Sequence, residues 1–336
     1  MPLESASPLD PRLAALGLDS PIALAPMAGI TDRPFRDLVA GFGAGLVVSE
    51  MVASREMVQA KRSVRDRAEL GARVAGTSVQ IAGCEAHWMA EAARLLADQG
   101  ARIVDINMGC PARKVTGGLS GSALLRDHDH ALRLIEAVVA AVDVPVTLKT
   151  RLGWDDDSRD TAALARRAEG AGVRMLVVHG RTRCQFYKGA ADWAAIREIT
   201  SAVDIPVLAN GDILSATDAR AALAASGAAG VMIGRGAQGA PWICAIVAHA
   251  LGHGADVEPP TGLELARMAA AHHADMLSFY GTDLGGRAAR KHLGWYMDRA
   301  GTTADLRRRV LTAPPHAVAA LLADALSDPP DARRAA

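Results

Sequence analysis

Eight short apolar or β-branched runs recur along the chain, at residues 21–27, 46–51, 77–82, 103–107, 144–150, 175–179, 205–210 and 230–234. Each is followed by an Ala-rich stretch whose apolar positions repeat at helical spacing. The runs are apolar on both faces instead of alternating, which marks buried parallel strands, and the stretches between them supply the crossovers that parallel pairing requires. Eight such units predict an α/β chain closed into a (β/α)₈ TIM barrel. An open doubly wound sheet would carry G-x-G-x-x-G after its first strand. This chain has Ala25-Pro26-Met27-Ala28-Gly29 there instead.

The strand–helix rhythm stops near Gly254, and Val257-Glu258-Pro259-Pro260 reads as a linker. Beyond it, helical stretches at 263–280, 284–298 and 317–325 follow one another without a strand, which predicts a small C-terminal all-helical domain. The expected division is a barrel over 1–254, helices over 258–327 and a flexible tail over 328–336.

A chain of 336 residues accommodates a barrel of about 250 residues plus such an appendage. Half of the residues are hydrophobic and 22% are charged, as in a water-soluble core-forming protein. No signal-like start and no apolar run of about 18 residues is present, so a cytoplasmic protein without a membrane span is expected. The four cysteines, Cys84, Cys110, Cys184 and Cys244, form no C-x-x-C pair. Neither a disulfide framework nor a metal site is indicated. Basic and acidic residues balance at 37 each, so any nucleic-acid role must come from local patches. Only five of the basic residues are lysines, Lys61, Lys114, Lys149, Lys188 and Lys291.

In a barrel the C-terminal strand ends form the active face, and the chemically pointed residues fall there. Gln80 ends the third run, Asn107 to Cys110 the fourth, Lys149 and Arg151 the fifth, and His179 the sixth. Asn210-Gly211-Asp212 and Gly234-Arg235-Gly236 end the last two. These glycine-rich turns, each leading into a helix, present bare N–H groups beside Arg235, a place for a phosphate. Gln80, Lys149 and His179 offer donors and a cation across the mouth, suited to the polar edge of a flavin. A lysine pointing into such a mouth is expected to meet an anion or an electron-rich ring. Cys110, by its place just past the fourth run, suits a general acid as well as a nucleophile.

Five motifs in chain order resemble the signature set of the bacterial tRNA-dihydrouridine synthases. They are Ala25-Pro26-Met27-Ala28-Gly29-Ile30-Thr31-Asp32, Asn107-Met108-Gly109-Cys110-Pro111 with Lys114-Val115, Lys149-Thr150-Arg151-Leu152-Gly153, His179-Gly180-Arg181 and Asn210-Gly211-Asp212. The similarity continues into Ala289-Arg290-Lys291-His292-Leu293-Gly294-Trp295-Tyr296 and is nearest to the B-type, nitrogen-regulation-like subgroup. The resemblance implies an FMN site lined by Pro26, Met27, Ala28, Gln80, Lys149, Asn210, Gly211, Asp212, Gly234 and Arg235. It implies Cys110 as the proton donor, and reduction of a D-loop uridine in tRNA to 5,6-dihydrouridine. Asp212 stands where several relatives of the family carry Glu.

Uracil's C5=C6 bond is conjugated to its C4 carbonyl, so hydride addition at C6 needs donors for the developing oxyanion and an acid for C5. Asn107 and Arg151 are the candidates for the first need. NADPH or NADH is expected to recharge the flavin in a separate half-reaction, since no dinucleotide fingerprint appears. Lys114 is placed on the substrate side. Residues 285–311 hold seven basic against two acidic residues, a local excess of +5 that includes Arg287, Arg290 and Lys291, the expected tRNA contacts. A second basic segment comprises Arg55, Lys61, Arg62, Arg65 and Arg67. The target base must flip out to reach a barrel mouth, and a monomer suits a protein offering one face to a large RNA. The competing reading is a small-molecule FMN dehydrogenase acting on a free pyrimidine such as dihydroorotate. It needs no basic helical appendage.

Overall fold

The computed structural model describes residues 8–59, 68–70 and 77–327. Within them lie parallel strands β1 (Ile22–Leu24), β2 (Leu46–Val47), β3 (Val52–Ala53), β4 (Ser78–Ala82), β5 (Ile103–Asn107), β6 (Val146–Arg151), β7 (Met175–His179), β8 (Val207–Asn210) and β9 (Gly230–Ile233). Their order is β2-β1-β9-β8-β7-β6-β5-β4-β3. The two ends of that order are one stretch of chain, separated only by Val48-Ser49-Glu50-Met51. Val48 bridges Ser78, and Ser49 N–H donates to Ser78 O at 2.9 Å, so the ring is closed as a (β/α)₈ barrel.

The run at 46–51 is therefore not the single strand its apolar pattern predicts. Ser49 Oγ accepts from Gln80 N–H at 3.1 Å and donates to Glu50 O at 2.8 Å. The buried Glu50 carboxylate turns to Gly29 N–H at 2.6 Å. Side-chain bonds there replace ladder bonds, and the backbone bends.

Helices α1 (Arg33–Phe42), α2 (Ala86–Asp98), α3 (His128–Val139), α4 (Thr161–Gly170) and α5 (Ala216–Ser226) cross between strands, and α6 (Ile243–Ala250) follows β9. α1 shows why they form where they do. Asp32 caps it by accepting from Phe35 N–H at 3.1 Å, Pro34 sits in the first turn, and Gly43 at φ 109° ends it. Its inner face buries Phe35 and Val39 in the main core, each worth about 1.5–3 kcal/mol of burial.

After residues 257–260 come α7 (Gly262–Tyr280), α8 (Thr282–Arg299), α9 (Ala304–Thr312) and α10 (Pro315–Leu326), with no strand among the described residues. Three of them match predicted helices. α9 is a helix that the apolar pattern does not predict; it carries Arg307, Arg308 and Arg309 in succession and buries Val310, with Leu306 and Leu311 packed beside it. The four helices share a core of Leu265, Leu293, Met297, Val310 and Leu322 with Ala240 and Trp242 from the end of the barrel. Tyr296 is fully buried in it and Trp295 is half-buried, which accords with a packing role for both. On the other side the helices meet α1, where the Phe35 ring lies 5.0 Å from His292 and 5.8 Å from His272. The expected flexible tail lies outside the described residues.

Candidate active site

The C-terminal strand ends surround a cavity of about 410 Å³, within the range of cofactor sites. Pro26, Met27 and Ala28 follow β1 into it. Gln80 enters from β4, Asn107 and Cys110 from the end of β5, Lys149 and Arg151 from β6, and His179 from β7. Asn210-Gly211-Asp212 and Gly234-Arg235 close the far side. The sequence-selected residues of the barrel thus converge, apart from Lys114, which is exposed on the short helix Arg113–Thr116. Arg287 and Arg290 are exposed on α8, away from the cavity wall. Of the second basic segment only Arg55 lies among the described residues.

Gln80 and Lys149 are held from behind. Asp105, buried one pleat below the mouth, accepts from Gln80 Nε2 at 2.6 Å and from Thr147 Oγ1 at 2.6 Å. Burial pushes its carboxyl pKa up. Gln80 Oε1 in turn accepts from Asn107 Nδ2 at 2.7 Å. Lys149 Nζ donates to Asn210 Oδ1 at 2.9 Å, and Asn210 Nδ2 donates to Met232 O. An ammonium has three protons, so two remain for the cavity. Burial, aided by the neighbouring Arg151 charge, brings the Lys149 pKa down to about 8. A partly buried lysine left with unspent donors at a cavity wall fits an anionic or electron-rich ring.

Across the mouth, Asp212 organises two arginines. It accepts from Arg181 Nη2 at 2.5 Å, from Arg235 Nη2 at 2.9 Å and from Ala191 N–H at 2.8 Å. Burial favours the neutral acid, yet Arg181, the Ala191 N–H and Arg235 together hold the Asp212 carboxyl below the ordinary carboxylate range. Its charge is spent on positioning Arg235, whose side chain stays about half exposed for a ligand. Arg181 Nη1 also lies 3.2 Å from His179 Nε2. Since guanidinium only donates, that nitrogen accepts and the proton sits on Nδ1. Burial, with Lys149, Arg151, Arg181 and Arg235 around it, keeps His179 neutral. Gly211 is required at φ +114°, where a Cβ would lie 2.8 Å from Ala191 Cβ and 3.0 Å from His179 Cδ2. A Cβ on Gly234 would meet Ala25 Cβ at 3.7 Å and Met27 Sδ at 3.8 Å. The turn after Gly234 continues as a single 3₁₀ turn, Arg235–Ala237, and α5 starts only at Ala216. The predicted helix N-termini are therefore loop N–H groups instead.

Cys110 sits on the rim as a free thiol, half-buried, in a turn that Asn107 builds. Asn107 Oδ1 accepts from Gly109 N–H at 3.2 Å and from Cys110 N–H at 3.0 Å. Cys110 O accepts from Ser122 Oγ at 2.9 Å. The Asn107 amide thus has one proton left for a substrate. Arg151 is similarly committed. Its Nε donates to Gly109 O at 2.6 Å and its Nη1 to Thr182 O and Phe186 O at 3.0 Å each. Burial lowers its pKa to about 10, which leaves it charged.

Sequence reasoning passed over Asp105, Thr147, Glu50 and Tyr187. Asp105 carried a signal, a lone charge inside the apolar run Ile103–Asn107. Tyr187 lines the cavity between Arg151 and Arg235, each with Cζ 5.6 Å from its ring centre, and it lies in a loop no pattern marks.

Fold and site define a barrel enzyme whose active face carries a basic, cofactor-sized cavity with a thiol on its rim. The model of the dihydrouridine synthase (Dus) family matches residues 23–325, and the chain belongs to that family of oxidoreductases. A probable tRNA-dihydrouridine synthase of Rhodobacter capsulatus is 62% identical over 319 residues, covering 94% of this chain and 98% of its own length. One from Rhizobium leguminosarum bv. phaseoli is 54% identical over 283 residues, covering 83% and 85%. The tRNA-dihydrouridine synthase B of Xanthomonas campestris pv. campestris is 50% identical over 287 residues, covering 85% and 86%.

Proposed function

We propose that this protein reduces the C5=C6 bond of a D-loop uridine in tRNA to 5,6-dihydrouridine, with FMN as its cofactor and NADPH or NADH as its reductant. The observation that carries the reading is that Cys110 borders the same cavity that the ammonium of Lys149 faces. The donor set fits FMN, with Gln80 and Lys149 toward the polar edge of the ring and Arg235 with the Gly211 and Gly234 backbone toward the phosphate. Asp212 serves that site indirectly, by aiming Arg235.

When bound and reduced, FMN supplies hydride. The chain's own residues do the rest. Hydride accepted at C6 of uracil leaves negative charge over C5 and O4, and in this reading the remaining Asn107 proton and the Arg151 edge stabilise it. The Cys110 thiol delivers the proton to C5, worth about 10²–10⁴-fold in rate for a positioned acid. His179, neutral and tied to Arg181, holds the wall opposite.

The helical region supplies tRNA contacts in this reading, and α8 lies against the cavity rim to do so. Lys291 reaches Gly29, and Trp295 packs on Gly239, next to the cavity residue Gln238. Arg287 is one turn before Lys291 on that helix. The test is a reoxidation experiment. Protein purified with flavin, absorbing near ~450 nm, is bleached by NADPH without oxygen and should regain colour on adding unmodified tRNA. Recovery only with a free pyrimidine would favour the small-molecule dehydrogenase.

A further inference from the structure

Beside the cavity runs a groove of about 530 Å³, lined by Arg113, Leu119, Arg126 and Trp154 among others. Arg113 follows Cys110 by three residues and Trp154 follows Arg151 by three, so two chain segments lead from cavity to groove within about 10 Å. The groove is therefore on the active face, next to the thiol. Its two lining arginines and the adjoining Lys114 are uncommitted. Among the described residues, Arg113, Lys114 and Arg126 carry no side-chain hydrogen bond or ion pair.

Three nearby acids have partners of their own, and Asp127 among them lines the groove. Asp127 caps α3 by accepting from His130 N–H at 2.9 Å, Asp156 pairs with Arg159 at 2.7 Å, and Asp129 pairs with Arg167 at 2.6 Å. Trp154 lies under two guanidiniums, with Arg126 Cζ 5.0 Å and Arg183 Cζ 4.6 Å from its ring centre. The first of these contacts holds the Arg126 plane on the groove wall, where Trp154 and Arg126 both line it. Leu119, at φ 57°, presents 67% of its surface to solvent at the same groove.

Unpaired planar cations beside exposed apolar surface match the backbone and base of an unpaired nucleotide. We propose that this groove seats a nucleotide adjoining the target uridine, with its phosphates on Arg113, Lys114 and Arg126 and its base against Leu119. The proposal rests on the tRNA reading above. A strand that sends one base into the cavity must run its next phosphates over the rim, and from Cys110 on that rim the chain reaches the groove in three residues.

The test pairs tRNA binding with a hydroxyl-radical footprint, using the flavin-loaded protein and the double variant Arg113→Glu, Arg126→Glu. The variant should bind unmodified tRNA at least tenfold more weakly, and its log–log salt slope should shrink by about 2 for two lost phosphate contacts. Protection should vanish at riboses next to the target uridine, while flavin content stays parental. The neutral pair Arg113→Gln, Arg126→Gln should show the same pattern to a smaller degree, which removes charge repulsion as a cause. Parental affinity and footprint in both variants would overturn the groove assignment while leaving the tRNA reading intact. A parent protein that neither binds nor reduces tRNA would overturn both.

Discussion

Lys291 on α8 donates a hydrogen bond through Nζ to the backbone oxygen of Gly29 in the loop after β1. Ala28 and Ile30 on either side of that glycine line the cavity. The same loop is pinned by Glu50 at Gly29 N–H and, again from the helical region, by Tyr280 Oη donating to Asp32 Oδ2 at 3.1 Å. Burial raises the Asp32 carboxyl to about 6, so at neutral pH it accepts this bond as a carboxylate. One wall of the proposed flavin site is thus fastened by two side chains of the C-terminal helices.

Lys291→Met should therefore loosen flavin as well as tRNA. Losing one charged hydrogen bond of about 1.5–3 kcal/mol predicts roughly tenfold or greater weakening of FMN binding if the loop relaxes. Titration of apoprotein with FMN by fluorescence quenching measures it. Parental FMN affinity would return Lys291 to a purely substrate-facing role.

Arg287 and Arg290 make no such contact with the barrel, so Arg287→Glu with Arg290→Glu should leave flavin content unchanged. Binding of tRNA should fall by an amount that shrinks as ionic strength rises. Parental tRNA binding at both low and moderate salt would exclude this face of α8 as an RNA platform.

Barrel and helices were legible in the sequence because strands buried on both faces leave continuous apolar runs, and because chemically distinct residues such as Lys149 and Cys110 stand at the ends of those runs. What lay hidden depends on three-dimensional register. Nothing in the sequence says that Asn107 spends its amide oxygen on the Cys110 turn, that Asp212 faces Arg181 and Arg235, or that Lys291 turns back to Gly29. Glu50 escaped notice for a similar reason, since it breaks a run whose composition reads as one strand.

Removing the thiol separates binding from protonation. Cys110→Ala should keep flavin, tRNA affinity and NADPH-driven flavin reduction, and lose about 10²-fold or more in dihydrouridine formation. Single-turnover reoxidation of the reduced protein by tRNA is the measurement. Near-parental turnover would make Cys110 a packing residue of the rim.

Lys149 predicts a pH dependence with a definite sign. Its pKa near 8 in the folded protein means that the ammonium is lost as pH rises through about 8, so flavin retention should weaken there. Stability should move the other way. The unfolded chain binds the proton up to about 10.4, so between those values the unfolded state holds more protons and stability increases with pH. In Lys149→Met both trends should flatten, by flavin release and by thermal unfolding of the apoprotein followed from pH 7 to 10. A parental pH profile in the variant would assign the titration to another group.

The most direct measurement is nucleoside mass spectrometry of an unmodified tRNA transcript incubated with the purified protein, FMN and NADPH, mapped by position. The account predicts a gain of two hydrogens at a uridine of the D-loop, absent with Cys110→Ala. Flavin-dependent NADPH oxidation with no reduced uridine in the tRNA, together with reduction of a free pyrimidine, would contradict it.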